Sequence, residues 1–140
     1  MIEVVSRQRR KKIDCQRWQS FAKQALRAIG DDVVDVTIAF LSNRQIKELN
    51  KRFRDIDRPT DVLSFPASDN FDASVDPNLG DIAIAVELAE SQALENKLEF
   101  DREIAQLILH GLLHLHGYDH ETDKGEMNRL ELRLRRKLGI

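Results

Sequence analysis

Residues 100–116, FDREIAQLILHGLLHLH, constrain the fold more than any other stretch of this chain. Ile104, Ala105, Leu107, Ile108, Leu109, Leu112, Leu113 and Leu115 sit on nearly every side of one helix. A helix that is apolar all round has no face to give to water and belongs in the middle of the protein. Histidines within such a helix need polar partners to offset their desolvation, and a metal ion can supply one.

Positions 110 and 114 lie one turn apart on the same helix face, so the imidazoles of His110 and His114 can converge on one ion. Gly117 can take a left-handed conformation and stop the helix, after which the chain can fold back and present His120. His-x3-His-x5-His with a Gly between the last two is the spacing of metzincin zinc sites. Three protein ligands leave one tetrahedral position open for water, as in a catalytic site and unlike a closed structural one. The competing reading is that each His is satisfied by ordinary hydrogen bonds; for three at this spacing, the metal is the stronger explanation. His116 is roughly 200° around the helix from His114 and points elsewhere. Gly111 stands where a metalloprotease carries the Glu that acts as general base, which argues against peptidase chemistry by the usual route. Asp119, beside His120, is open to two readings: a carboxylate that orients a ligand, or a turn residue.

The rest of the chain reads as alternating strands and helices. A strand is expected over 2–6, a helix over 14–29 ended by Gly30, and a strand over 33–41. Ser42 caps a helix through about Phe53, and Pro59 marks a turn over 54–59. Strands follow at 61–65, ended by Pro66, and at 79–85, separated by a polar loop at 67–78 long enough to stand beside a site. Helices are expected over 86–98, over 100–116 with Asp101 as cap, and from Thr122 or Asp123 to about 138, with Asp123 and Glu126 at capping-box spacing. The order βαβαββααα predicts an α+β fold in one domain, residues 1–140: a mixed sheet of about four strands, the apolar His-bearing helix central, and further helices packed around it.

Charge divides this chain unevenly. Residues 1–60 hold fourteen Lys/Arg against eight Asp/Glu, and residues 61–140 hold eight against sixteen. The basic residues fall into two clusters, Arg7–Arg17 and Arg44–Arg58, which are either solvated faces or a polyanion-binding surface. No apolar run approaches the roughly 18 residues needed to span a bilayer. The N-terminal residues read as a strand rather than a signal segment. A lone Cys15 excludes an internal disulfide framework and fits a reducing compartment, so a cytoplasmic protein without a membrane partner is expected.

The segment His110-Gly-Leu-Leu-His-Leu-His-Gly-Tyr-Asp-His120 resembles the signature of the YbeY family, bacterial metal-dependent endoribonucleases of ribosomal RNA maturation. Asn50-Lys-Arg-Phe-Arg54, Pro59-Thr-Asp-Val-Leu-Ser-Phe-Pro66 and Leu79-Gly-Asp-Ile82 match its other blocks in order. The resemblance implies one Zn²⁺ per chain on His110, His114 and His120, although imidazole ligands also suit Ni, Cu and Fe. It implies that Arg58 is the functional arginine of the cleft; read alone, Arg58 would be a loop ion pair with Asp55, Asp57 or Asp61. The implied activity is single-strand-specific cleavage of RNA in 16S rRNA 3′-end maturation and ribosome quality control. The implied partners are rRNA and the ribosome or its proteins, with no DNA expected. Two other readings stay open: a non-catalytic ribosome-assembly factor with a structural zinc, and a metallohydrolase acting on another substrate.

Overall fold

The computed structural model describes residues 1–31, 33–68, 72, 76–119 and 121–140. Along the chain run β1 (Ile2–Ser6), α1 (Cys15–Ile29), β2 (Asp35–Leu41), α2 (Asn43–Arg54), β3 (Val62–Pro66), β4 (Asn78–Ala85), α3 (Val86–Glu95), α4 (Phe100–Leu115) and α5 (Glu126–Leu138). The strands form one mixed sheet in the order β1-β2-β4-β3: β1, β2 and β4 are parallel, and β3 pairs antiparallel with β4 at the edge. This is the expected α+β architecture. Among the described residues no helix is long and apolar enough to cross a membrane.

Period-two alternation distributes the side chains of the sheet over two cores. Val36, Ile38 and Phe40 of β2, with Ile82 and Ile84 of β4, enter a large core with α1, α4 and α5. Ala83 and Ala85 of β4 and Leu63 of β3 turn to the other face, where Ile46 of α2 covers them. Small residues there let α2 approach closely. Ten residues of α4 are buried, as its all-round apolarity requires. The half-buried positions Gln106, His110 and His114 recur every fourth residue, a single stripe on an otherwise apolar rod.

Local chemistry sets several boundaries differently from the sequence pattern. Pro66 closes β3 from within it, pairing with Gly80; an edge strand tolerates the missing donor. Gly80 has φ +138°, and a Cβ there would stand 2.3 Å from the Phe65 carbonyl oxygen, so β3 and β4 meet more closely than a side chain allows. β2 begins at Asp35, not Val33, and α3 ends at Glu95, three residues early. Glu99, not Asp101, is the N-cap residue of α4; Asp101 lies in the first turn, where it suits the helix dipole and pairs with Arg17 at 2.5 Å. At α5 the N-cap is Gly125, yet the Asp123 carboxylate still accepts from the Gly125 and Met127 amides, at 2.8 and 2.9 Å. Ser42 caps α2 as expected, in a capping box with Gln45.

The candidate metal centre and its groove

The polar stripe of α4 opens into a groove of about 480 Å³ whose walls include His110, His114, Asp61, Ser64 and Arg54. Three features of the chain build it. Alternation along β3 turns Val62, Ser64 and Pro66 towards α4, while Leu63 and Phe65 go to the other face. The end of α2 delivers Arg54 past the edge of β3. At the end of α4, Gly117 (φ +91°) closes a Schellman turn: its amide donates to the His114 carbonyl and the Tyr118 amide to the Leu113 carbonyl, at 3.0 and 3.2 Å. The chain thereby doubles back, and Tyr118, Asp119 and Glu121 form part of the rim.

The His110 and His114 rings stand edge to face with centroids 4.6 Å apart and their Nε2 atoms 3.0 Å apart. His110 Nδ1 lies 2.6 Å from Glu131 Oε1 of α5. Burial pushes the Glu131 carboxyl up, but the hydrogen bond and charge of His110, with Arg135, outweigh it and hold the group below the usual glutamate range. An ionised carboxylate can only accept, so Nδ1 of His110 carries a proton, and it is in the neutral form of the ring that Nε2 presents a lone pair. Two Nε2 ligands on a tetrahedral zinc would lie about 3.3 Å apart, from Zn–N bonds of about 2.05 Å. The pair therefore fits a divalent ion. His120, the third expected ligand, lies outside the described residues, as do residues 69–71 and 73–75 of the loop expected beside the site.

Among the described residues, the remaining expectations separate cleanly. His116 does point away: Nδ1 donates to the Leu112 carbonyl at 2.7 Å and Nε2 faces Asp31 Oδ2 at 3.1 Å, tying the end of α4 to the α1–β2 connection. Asp119 accepts from the Glu121 amide at 2.9 Å, which is a turn role, although it also lines the groove. Gly111 faces the sheet, where a Cβ would come within 3.0–3.3 Å of the Ile82 side chain, so a side chain at that position would start out against Ile82. Arg58 is exposed and makes no ion pair with Asp55, Asp57 or Asp61; Asp57 instead faces Lys47 and Lys51, at 3.9 and 4.0 Å. Arg58 lines a second groove that shares Arg54, Thr60 and Asp61 with the first.

Two site residues escaped the sequence reading. Arg54 was only one member of a basic cluster. Glu131 carried a signal: with Met127 and Leu134 it occupies the buried face of α5, where an unpaired acid is costly. Of the two basic clusters, half of the first is engaged in ion pairs, Arg10 and Lys11 with Glu90 at 2.8 and 3.6 Å and Arg17 with Asp101. The second reaches the grooves.

An α+β protein with a histidine-bearing polar groove at the end of its central helix is the class that fold and site define. Over residues 3–139 the sequence matches the family described as Endoribonuclease YbeY. It is 44% identical to the endoribonuclease YbeY of Clostridioides difficile, over 79% of this chain and 75% of that one, and 36% identical to that of Caldanaerobacter subterraneus over 99% of both. A solution structure of a Thermotoga maritima protein matches 99% of this chain and 89% of its own, at TM-score 0.63 and 31% identity. The chain belongs to the YbeY family.

Proposed function

We propose that this protein is a metal-dependent endoribonuclease that cuts single-stranded RNA, with the 16S rRNA 3′ end as substrate and ribosome quality control as its setting. The observation that carries the reading is the facing pair of Nε2 atoms on His110 and His114, fixed by Glu131, in a groove flanked by Arg54. Family membership supplies the substrate class, and single-strand specificity, ribosomal partners and a cytoplasmic setting follow from the resemblance.

His110, His114 and His120 would hold one Zn²⁺. Such an ion polarises a phosphoryl oxygen or lowers the pKa of a bound water. The protein's own part is positioning and charge. Glu131 holds His110 in one tautomer. Arg58 and Arg54 present planar guanidinium forks, suited to two phosphate oxygens at once, beside the segment that joins the two grooves. Their fixed charge stabilises negative charge developing on the phosphate. With position 111 filled by Gly, proton transfer falls to the groove's own carboxylates, among which Asp61, Asp119 and Glu121 are available.

A structural zinc in a non-catalytic assembly factor would need a fourth protein ligand. His116 is turned to Asp31 instead, and Asp119, which lines the groove, accepts from the Glu121 amide. The test pairs metal content with RNA cleavage in wild type, His114→Ala and Arg58→Ala. About one metal per chain in wild type and Arg58→Ala, loss of metal in His114→Ala, and cleavage abolished in both folded variants support the reading. Wild-type cleavage by metal-free His114→Ala overturns it.

A further inference from the structure

The second groove, about 430 Å³, lies against the first, and both are walled by Arg54, Thr60 and Asp61. Its size suits a small organic ligand of nucleotide dimensions. Its chemistry is divided. Arg54 and Arg58 supply two guanidinium groups that make no ion pair among the described residues. Ile56, 38% exposed in an otherwise polar loop, and half-buried Leu88 supply an aliphatic surface.

The frame of this groove is held from beneath. Asn50 is buried, and its Nδ2 donates to the Arg58 carbonyl at 2.9 Å while its backbone carbonyl accepts from the Ile56 amide at 3.3 Å. Asn50 Oδ1 is a buried acceptor with no partner among the described residues. The Gln92 amide, with Nε2 towards Asp61 Oδ2 and Glu103 Oε1 at 3.0 Å each, is fixed on the opposite wall.

We infer that this groove holds the nucleotide on one side of the scissile phosphodiester, with that phosphodiester between the histidines and Arg54 and Arg58 and the nucleotide's base against Ile56 and Leu88. Two cations and an aliphatic surface in one groove match the anionic and flat parts of a nucleotide. Continuity through Thr60 and Asp61 makes the two grooves one track. The substrate class rests on the endoribonuclease reading; the shape and charge of the groove do not.

The test uses the full chain and adenosine 5′-monophosphate, followed through backbone amide shifts in NMR. AMP shifts the amides of Arg58, Leu88 and Gln92, whereas inorganic phosphate shifts Arg58 without Leu88. Leu88→Trp fills the groove and Ile56→Asp places a negative charge in it from an exposed loop, where the fold is not at stake. Each weakens AMP by about tenfold and raises KM for RNA more than it lowers kcat. AMP shifts confined to the histidine groove, or undiminished in both variants, overturn the inference. Wild type that binds AMP at these residues but cuts no RNA sinks the endoribonuclease reading and leaves the nucleotide site standing. Wild type that cuts RNA while AMP spares the groove does the reverse.

Discussion

His110 Nδ1 and Glu131 Oε1 stand 2.6 Å apart, joining α4 to α5 through residues 21 positions apart in the chain. The other oxygen of Glu131 accepts from Arg135 Nη2, also at 2.6 Å. Because the carboxylate is saturated by two cation-capable donors, the ring of His110 is fixed in orientation as well as in tautomer. The histidine-bearing side of α4 therefore depends on α5.

Glu131→Gln is expected to weaken zinc binding by about 10–100-fold while leaving the fold intact. Competition with a chromogenic chelator measures this. Stability should change as well, by about 1.5–3 kcal/mol at neutral pH, the usual worth of a hydrogen bond to a charged group. The sign with pH follows from a carboxyl held low in the folded state. Its stabilisation is complete above the ordinary glutamate range and is lost as pH falls through the folded-state value. Metal-free wild type and Glu131→Gln should thus differ most at neutral pH and converge in acid. Equal zinc affinity in the two proteins would show that the contact merely ties the helices together.

Gly111→Ala tests the close approach of α4 to β4. By helix propensity alone the change should stabilise, by about 1 kcal/mol. The added Cβ, however, would lie 3.0 Å from Ile82 Cδ1 in the buried core, so the Ile82 side chain would have to shift. Overpacking of this kind costs about 1–3 kcal/mol, so net destabilisation is expected in urea unfolding. A more stable variant would mean that Ile82 moves freely.

Periodicity and turn chemistry made most of this architecture legible before any coordinates. The apolar α4 announced its own burial, and Gly117 its stop. What escaped was long-range and carried by single residues. Glu131 pairs with His110 across two helices, a contact that no local pattern encodes, although an acid on the buried face of α5 marked the place. Arg54 could not be told from Lys47 or Lys51 by charge, because only the course of α2 past the edge of β3 separates a groove residue from its neighbours. Ser42 caps α2 as its sequence signature requires, but the caps of α4 and α5 differ for a related reason. Asp123 does bind amides at the start of α5, but from two residues before the N-cap, a geometry that Gly125 permits with φ +95°.

Glu103, 5% exposed, offers a pH test away from the histidines. Burial pushes its carboxyl above the usual glutamate range and the nearby charge of Asp61 adds to this, against smaller opposing effects of Asn96 and Arg135. A raised folded-state value means the proton is held more tightly in the native state. The stability gained is full below the ordinary glutamate range and is lost as pH rises through the raised value. Glu103→Gln keeps an acceptor for Gln92 without the charge, so it should melt a few degrees above wild type at pH 8 and level with it near pH 4. A lower melting point at pH 8 would show that the ionised form is the one this network supports.

The two basic clusters predict opposite responses to the same substitution. Arg54 borders both grooves without an ion pair among the described residues, whereas Arg10 is already held by Glu90 at 2.8 Å. Each phosphate contact releases counterions, so losing one should weaken single-stranded RNA binding for every sequence and lower the slope of log K against log salt by about 0.7. Arg54→Ala should show that change and Arg10→Ala should not. Fluorescence anisotropy with a labelled oligoribonucleotide across a salt series gives both slopes. If Arg10→Ala flattens the slope as much as Arg54→Ala, RNA runs over the β1–α1 segment as well. The track would then be wider than the two grooves.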